Sequence, residues 1–256
     1  MQLNDENYYS IEANKHYMSV SQYKDFLQCE AMAMAKMKGL FRSQSQTALL
    51  VGSYVHSYFE GALDKFKSEH PDIFTKAGAL KSEYKQANEM IETIESDAFC
   101  KFAMQGENEV IMTAEFAGAP WKIKIDVYNP EKGRFVDLKT VKDFERIWSP
   151  ELREKVTFVE AYGYLTQLAV YREIIKLSTG NILEPYIVAV TKESPPNKAI
   201  ISGDENTYSD ELEKVMRNME RIIAVKTEGE EPWACGKCEY CRSIKKVTKI
   251  THYSDL

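Results

Sequence analysis

Two aspartates and a lysine are the residues whose types and spacing best suit chemistry in this chain. The segments IKIDVY and FVDLKT carry Asp126 and Asp137, eleven residues apart across a short NPEKG connection, with Lys139 two residues after the second acid. In extended segments alternate residues share a face, so Asp137 and Lys139 stand together while Leu138 turns to the core. Two carboxylates bind Mg2+ or Mn2+ through oxygen, and such an ion polarises a phosphate and lowers the pKa of a bound water. A neighbouring ammonium orients that water or offsets the charge that develops. The chemistry assembled this way is phosphodiester hydrolysis. Alone, D-x-K on a strand fits an exposed cross-strand ion pair equally well, so the surroundings have to decide.

The cysteines form a second set. Cys235, Cys238 and Cys241 make C-x2-C-x2-C, Cys29 lies far upstream in SQYKDFLQC, and Cys100 is left over. Three close thiols and one distant one favour a [4Fe-4S] cluster, because zinc ribbons usually show two separated C-x2-C pairs; structural Zn2+ is the alternative. A metal group on these four would close a loop of about 200 residues and pin both chain ends, a structural role without redox turnover. The simpler alternative is a Cys29 that is merely buried, with the tail motif disordered or bound to adventitious zinc.

Elements must position these groups. Residues 19–41 predict one helix, with Ser19 or Ser21 as N-cap and Gly39 as stop. Residues 47–66 and 79–102 predict two more helical stretches, the latter charged on one face. From Glu109 the pattern changes: EVIMTAEFAG, PWKIKIDVYN and GRFVDLKTV, separated by the turns AGAP and NPEKG, predict an antiparallel three-stranded meander. Residues 155–177 return to helical period, PYIVAVTKE and KAIISG form a further strand pair, and residues 208–226 a last helix. The expected fold class is α/β: a central mixed β-sheet with an antiparallel meander, flanked by helices, with the metal site at one sheet edge. We expect a single domain over residues 1–256, with 232–247 a C-terminal cysteine motif joined to Cys29.

A chain of 256 residues can bury a real core, and 44% hydrophobic with 28% charged residues describes a globular protein rather than a disordered one. No run approaches 18 apolar residues and the first segment lacks a basic start and an apolar middle, so the expectation is a cytoplasmic protein without membrane contact. Its cysteines are then reduced thiols. The net charge of -6 excludes a surface that attracts phosphates everywhere, and leaves room for a local cationic run such as RSIKKVTK at residues 242–249.

The order of Asp126, about ten residues, then Asp137-x-Lys139 after an apolar residue resembles the PD-(D/E)XK nuclease superfamily, with Ile125-Asp126 standing for Pro-Asp. Upstream, GSYVHSYFE is similar to the G-x-x-x-H-x-x-x-E helix of the RecB-like and RecE-like recombination nucleases; downstream, QLAVY is similar to their Q-x-x-x-Y. The set runs in order over about 115 residues, from His56 to Tyr171. SVSQYKDFLQC resembles the opening of AddB-type iron-sulfur nucleases, and W-x-C-x2-C-x2-C-R resembles the ending of phage relatives of RecE, although it departs from the frequent C-x2-C-x5-C spacing.

This resemblance implies a restriction-endonuclease-like fold, with one or two Mg2+ or Mn2+ ions held by Asp126, Asp137, the Leu138 carbonyl and His56. Lys139 would assist the nucleophile. Gln167 and Tyr171, at i and i+4 on one helical face, would reach a phosphate or the lysine, and Glu115 would add a carboxylate from the preceding strand. Cys29, Cys235, Cys238 and Cys241 would hold the iron-sulfur cluster. The implied activity is exonucleolytic degradation of linear double-stranded DNA in recombination or phage DNA processing, beside a single-strand annealing recombination protein and with an oligomer left open. Two rivals are a catalytically idle DNA-binding or assembly module of the same fold, and a nuclease directed at RNA, whose 2′-hydroxyls a protein can read.

Overall fold

The structure is a computed structural model and describes residues 1–42, 47–150, 152–248, 250 and 252–255. The chain divides into two compact units, one made of residues 1–44 and 218–256, the other of residues 45–217.

In the unit built from the chain ends, α1 (Ile11–His16) is followed by α2 (Val20–Gln28) and α3 (Glu30–Met37). Ser19 caps α2, its side chain accepting from Gln22 N at 3.3 Å. The single helix expected over residues 19–41 is instead broken at Cys29, whose backbone is extended (φ -170, ψ 107). Contacts outside the helix compensate for the break: Ala31 N donates to Trp233 O at 3.0 Å, and the Glu30 carboxylate accepts from Trp233 N at 2.7 Å. Gly39, at φ +72, ends the segment as expected, in the left-handed conformation a helix C-terminus favours.

The central unit opens with α4 (Thr47–Phe59), α5 (Leu63–Glu69), α6 (Ser82–Glu95) and α7 (Ala98–Ala103). Each of the two predicted helical stretches is therefore split. Gly61, at φ +74, separates the first pair. Asp97 separates the second by capping α7 through Phe99 N and Cys100 N. Strands β1 (Glu107–Phe116), β2 (Ala119–Asn129) and β3 (Arg134–Val141) form the expected meander. Ala117 and Gly118, both at positive φ (48 and 80), make the two-residue hairpin turn that pairs Phe116 with Ala119.

A short hairpin of β4 (Ile147–Ser149) and β5 (Glu154–Val156) follows, then α8 (Phe158–Ala161) and α9 (Tyr164–Thr179). The helix expected from residue 155 starts later because Lys155 pairs with Trp148 in that hairpin and Thr157 and Glu160 form a capping box. Next come β6 (Glu184–Thr191), β7 (Lys198–Ile201) and α10 (Glu205–Lys226), which belongs to this unit as far as Arg217. Helix α11 (Glu239–Ser243) lies in the other unit, and of the cationic run at 242–249 the last residue, Lys249, falls outside the described residues.

The main sheet has the order β1-β2-β3-β6-β7, with β3 and β6 parallel and the other pairs antiparallel. The fold is thus α/β, a mixed five-stranded sheet flanked by helices. A parallel pair needs a long crossover, and the segment carrying α8 and α9 supplies it. Val51, Val55, Met90 and Ile94 of α4 and α6 form a buried cluster with Val136, Leu138, Val188 and Val190 of β3 and β6. Leu138 therefore does face the core. The two aspartates sit on the second and third of five strands, not at a sheet edge as expected. Among the described residues no helix is long and apolar enough to cross a membrane.

Candidate functional site

The ladder around β2 fails at Asp126. Between β1 and β2 the paired residues include Asn108 with Val127 and Val110 with Ile125, omitting Glu109 and Asp126 between them. Pairing of β2 with β3 stops at Val127 and Val136. There the Asp126 side chain takes over, its Oδ2 accepting from the main-chain N of Leu138 at 2.7 Å. Glu109, opposite, has φ 57, a left-handed conformation costly for a residue with a side chain and typical of sites where surrounding structure imposes it.

Around this gap the predicted groups gather from separate elements of the central unit. Lys139 Nζ lies 2.7 Å from Asp137 Oδ2, and Gln167 Nε2 on α9 donates to Asp137 Oδ1 at 2.7 Å. Asp137 Oδ2 is buried and, although in charge contact with the lysine, has no aligned hydrogen bond. His56 on α4 places Nδ1 3.7 Å from Asp126 Oδ2 and hydrogen-bonds the Leu138 backbone. Gly52, one turn earlier, lets α4 come this close: a Cβ there would stand 3.0 Å from Thr140 Oγ1 on β3. Side-chain exposure is 5% for Asp137 but 20% for Asp126 and 26% for His56, so the site opens to solvent on the Asp126 and His56 side.

The electrostatics follow from burial and like charges. Asp126 is pushed up to about 8, by burial first and then by the Asp137 carboxylate. His56 is pulled down to about 4, by burial and then by the Lys139 ammonium. Burial also works against the Lys139 charge, yet Asp137 and Asp126 together hold its pKa above the usual value.

Three residues at the site were not predicted. Glu60 is pushed up to about 7, by burial and then by Glu109, with which it shares a hydrogen bond. Glu109 also pairs with Lys124. Tyr164 presents its ring 5.0 Å from Lys139 Nζ, and burial raises the pKa of its hydroxyl. The signal for Glu60 was present, since it is the final acid of G-x-x-x-H-x-x-x-E. Glu109 could have been found by counting register back from the Ala117-Gly118 turn. Glu115 was expected instead, but it pairs with Pro120 beside that turn, six residues along β1 from Glu109 and so about 20 Å away. Gln167 reaches Asp137, and Tyr171 lies one turn beyond it with its ring 6.4 Å from that of Phe135.

The donor set fits a hard divalent cation: two carboxylates, one with an unaligned buried oxygen, the Leu138 main chain and an imidazole. A carboxyl held as high as Asp126 is one that a cation would return to its charged form.

The four cysteines lie in the unit of the chain ends. Their sulfurs all fall within 4.8 Å of one another, and among the described residues they are the group of three or more acidic, histidine or cysteine ligands gathered that tightly. Cys29 and Cys241 are 3.6 Å apart and Cys235 and Cys241 3.9 Å. Main-chain N–H groups of Lys237 and Cys238 pull the Cys235 thiol down to about 6, while burial pushes Cys241 up to about 12. Cys100 stands apart, buried in the central unit against α6.

Residues 19–244 match the family model described as a PDDEXK-like domain of unknown function (DUF3799). No curated protein matches the chain. Among solved structures, a crystal structure from Eubacterium rectale described as "Putative exonuclease" is similar at 44% identity with a TM-score of 0.95, covering 100% of this chain and 98% of that one. A crystal structure of SSO0001 aligns at 15% identity with a TM-score of 0.29, covering 90% of this chain and 96% of that one, a likeness too slight to show a shared fold. With its family match spanning both units and the Asp126, Asp137 and Lys139 constellation in the central one, the chain belongs to the PDDEXK-like family DUF3799.

Proposed function

We propose that this protein is a divalent-metal-dependent deoxyribonuclease that degrades linear double-stranded DNA from its ends. The observation that carries the reading is the gap between β2 and β3, where Asp126, Asp137 and Lys139 meet within reach of His56 and Gln167. The family description and the name of the Eubacterium rectale protein support nuclease chemistry. The helix carrying Gly52, His56 and Glu60 supports the narrower RecB-like and RecE-like subtype, and with it a role in recombination or phage DNA processing beside a single-strand annealing protein. The match over 19–244 supports reading residues 1–256 as one domain.

Asp126, Asp137, the Leu138 main chain and His56 would hold Mg2+ or Mn2+. When bound, the ion supplies Lewis-acid polarisation of the phosphate and a nucleophile at neutral pH. Lys139 keeps its proton beside Asp137 and offers positive charge to the pentacovalent phosphate. Gln167, by donating to Asp137 Oδ1, fixes the rotamer of that carboxylate. Tyr164 places its ring 5.0 Å from the lysine Nζ and so limits where the ammonium can stand.

The test is digestion of end-labelled linear duplex, closed circular duplex, single-stranded DNA and RNA with Mg2+, Mn2+ or EDTA. Metal-dependent loss of linear duplex, with the circle spared and Asp137→Asn inactive, is the expected outcome. Binding of duplex ends without product under either metal would instead identify an idle module, and preferential loss of RNA would overturn the substrate assignment.

A further inference from the structure

The resemblance to iron-sulfur nucleases implies a [4Fe-4S] cluster on Cys29, Cys235, Cys238 and Cys241, and the sulfur positions do not fit one. In such a cluster each thiolate binds a different iron and points outward from its own corner of a cube, which separates the sulfurs by roughly 6 Å. Four thiolates on one tetrahedral ion, each about 2.3 Å from it, stand about 3.8 Å from one another. Here no pair exceeds 4.8 Å, and the two closest contacts are 3.6 and 3.9 Å.

The spacing is set by the chain itself. Ala31 N donates to Trp233 O and Trp233 N to the Glu30 carboxylate, so the residues next to Cys29 and Cys235 are joined directly. Arg221 locks the same carboxylate with Nε at 2.9 Å and a terminal nitrogen at 2.7 Å. Cys235 N, Cys238 N and Cys241 N then donate to the sulfurs of Cys29, Cys235 and Cys238 at 3.5, 3.2 and 3.4 Å. The sulfurs thus already accept main-chain hydrogen bonds, the environment that stabilises thiolates. These bonds hold the sulfurs at the separations of a single-ion site.

We infer that Cys29, Cys235, Cys238 and Cys241 hold a single tetrahedral zinc ion and no iron-sulfur cluster. A four-thiolate tetrahedral site suits zinc, and among divalent ions zinc outcompetes ferrous iron for a given set of ligands. The ion ties the broken helix at Cys29 to the C-terminal segment and supplies no redox chemistry.

The test is the composition of the full-length protein expressed with both zinc and iron supplied and purified without oxygen. One zinc per chain, no acid-labile sulfide and no broad absorption near ~400 nm are expected. Exchange for Co2+ should give the visible bands of a tetrahedral four-thiolate site. Cys29→Ser should lose the ion, and Cys100→Ser should keep it. About four irons with matching sulfide per chain, or a metal-free protein whose four thiols alkylate freely, would overturn the inference. None of these readouts depends on nuclease activity, so the zinc site and the nuclease reading fail separately.

Discussion

Lys139 keeps its charge in a site with 17% of its side chain exposed, because Asp137 and Asp126 compensate for lost water. Replacing it with alanine removes the ammonium beside Asp137 without opening the core, since Leu138 carries the packing. Lys139→Ala should lower single-turnover cleavage of end-labelled duplex on the order of 10²–10³-fold, with an unaltered circular dichroism spectrum. Undiminished cleavage would remove the lysine from the mechanism. Asp126 has a measurable signature of its own. Its folded-state pKa of about 8 means that the folded protein keeps a proton the unfolded chain has lost, so without metal it gives up stability as pH rises from about 4 to about 8. His56, held at about 4 against a usual 6.5, acts in the opposite sense between those two values, and Glu60, raised to about 7, acts in the same sense as Asp126. Urea midpoints in EDTA should therefore show Asp126→Asn gaining on the wild type between about pH 6.5 and 8; parallel curves would contradict the buried-pair account.

The element that sets the geometry is α4, whose approach to β3 depends on Gly52. Alanine in place of a mid-helix glycine ordinarily stabilises by about 1 kcal/mol. Here the added Cβ meets Thr140 Oγ1 at 3.0 Å, so the gain should be reduced or reversed in the wild type and recovered once Thr140 is alanine. A double-mutant cycle of Gly52→Ala and Thr140→Ala followed by urea denaturation should show coupling of roughly 0.5–1 kcal/mol; strict additivity would mean that the helix does not rest on that hydroxyl. Because His56 lies one turn further along α4, Gly52→Ala should also weaken cleavage, with Thr140→Ala restoring part of it.

Across the whole molecule an ion on the four cysteines would act on stability through chain connectivity. Cys29 and Cys235 lie 206 positions apart (235 minus 29), so an ion joining them restricts the unfolded chain over most of its length. Cys29→Ser should lower the thermal midpoint by roughly 5–10 °C, taking about 2–4 °C per kcal/mol for a chain of this size, and excess chelator should lower the wild type toward the same value. A variant that loses its metal yet melts with the wild type would leave the site without a structural role.

The sequence by itself determined the meander and the α/β class, and put Asp126, Asp137 and Lys139 within reach of one another, because these rest on local rules: alternation along a strand, tight turns, and one residue between groups on one face. Gln167 was legible from its four-residue relation to Tyr171, but only the fold decided that Gln167 reaches Asp137. The choice of Glu109 over Glu115 also needed cross-strand register, which a hairpin turn sets and which proximity in sequence misstates. The break at Cys29 was illegible because the contacts that replace helical bonds there come from Trp233, some two hundred residues away. Thiol spacing along a chain names the ligands of a metal site. What separates one ion from a cube of four irons is the distance between sulfurs, and that is fixed by how Glu30, Arg221 and Trp233 hold two remote segments together.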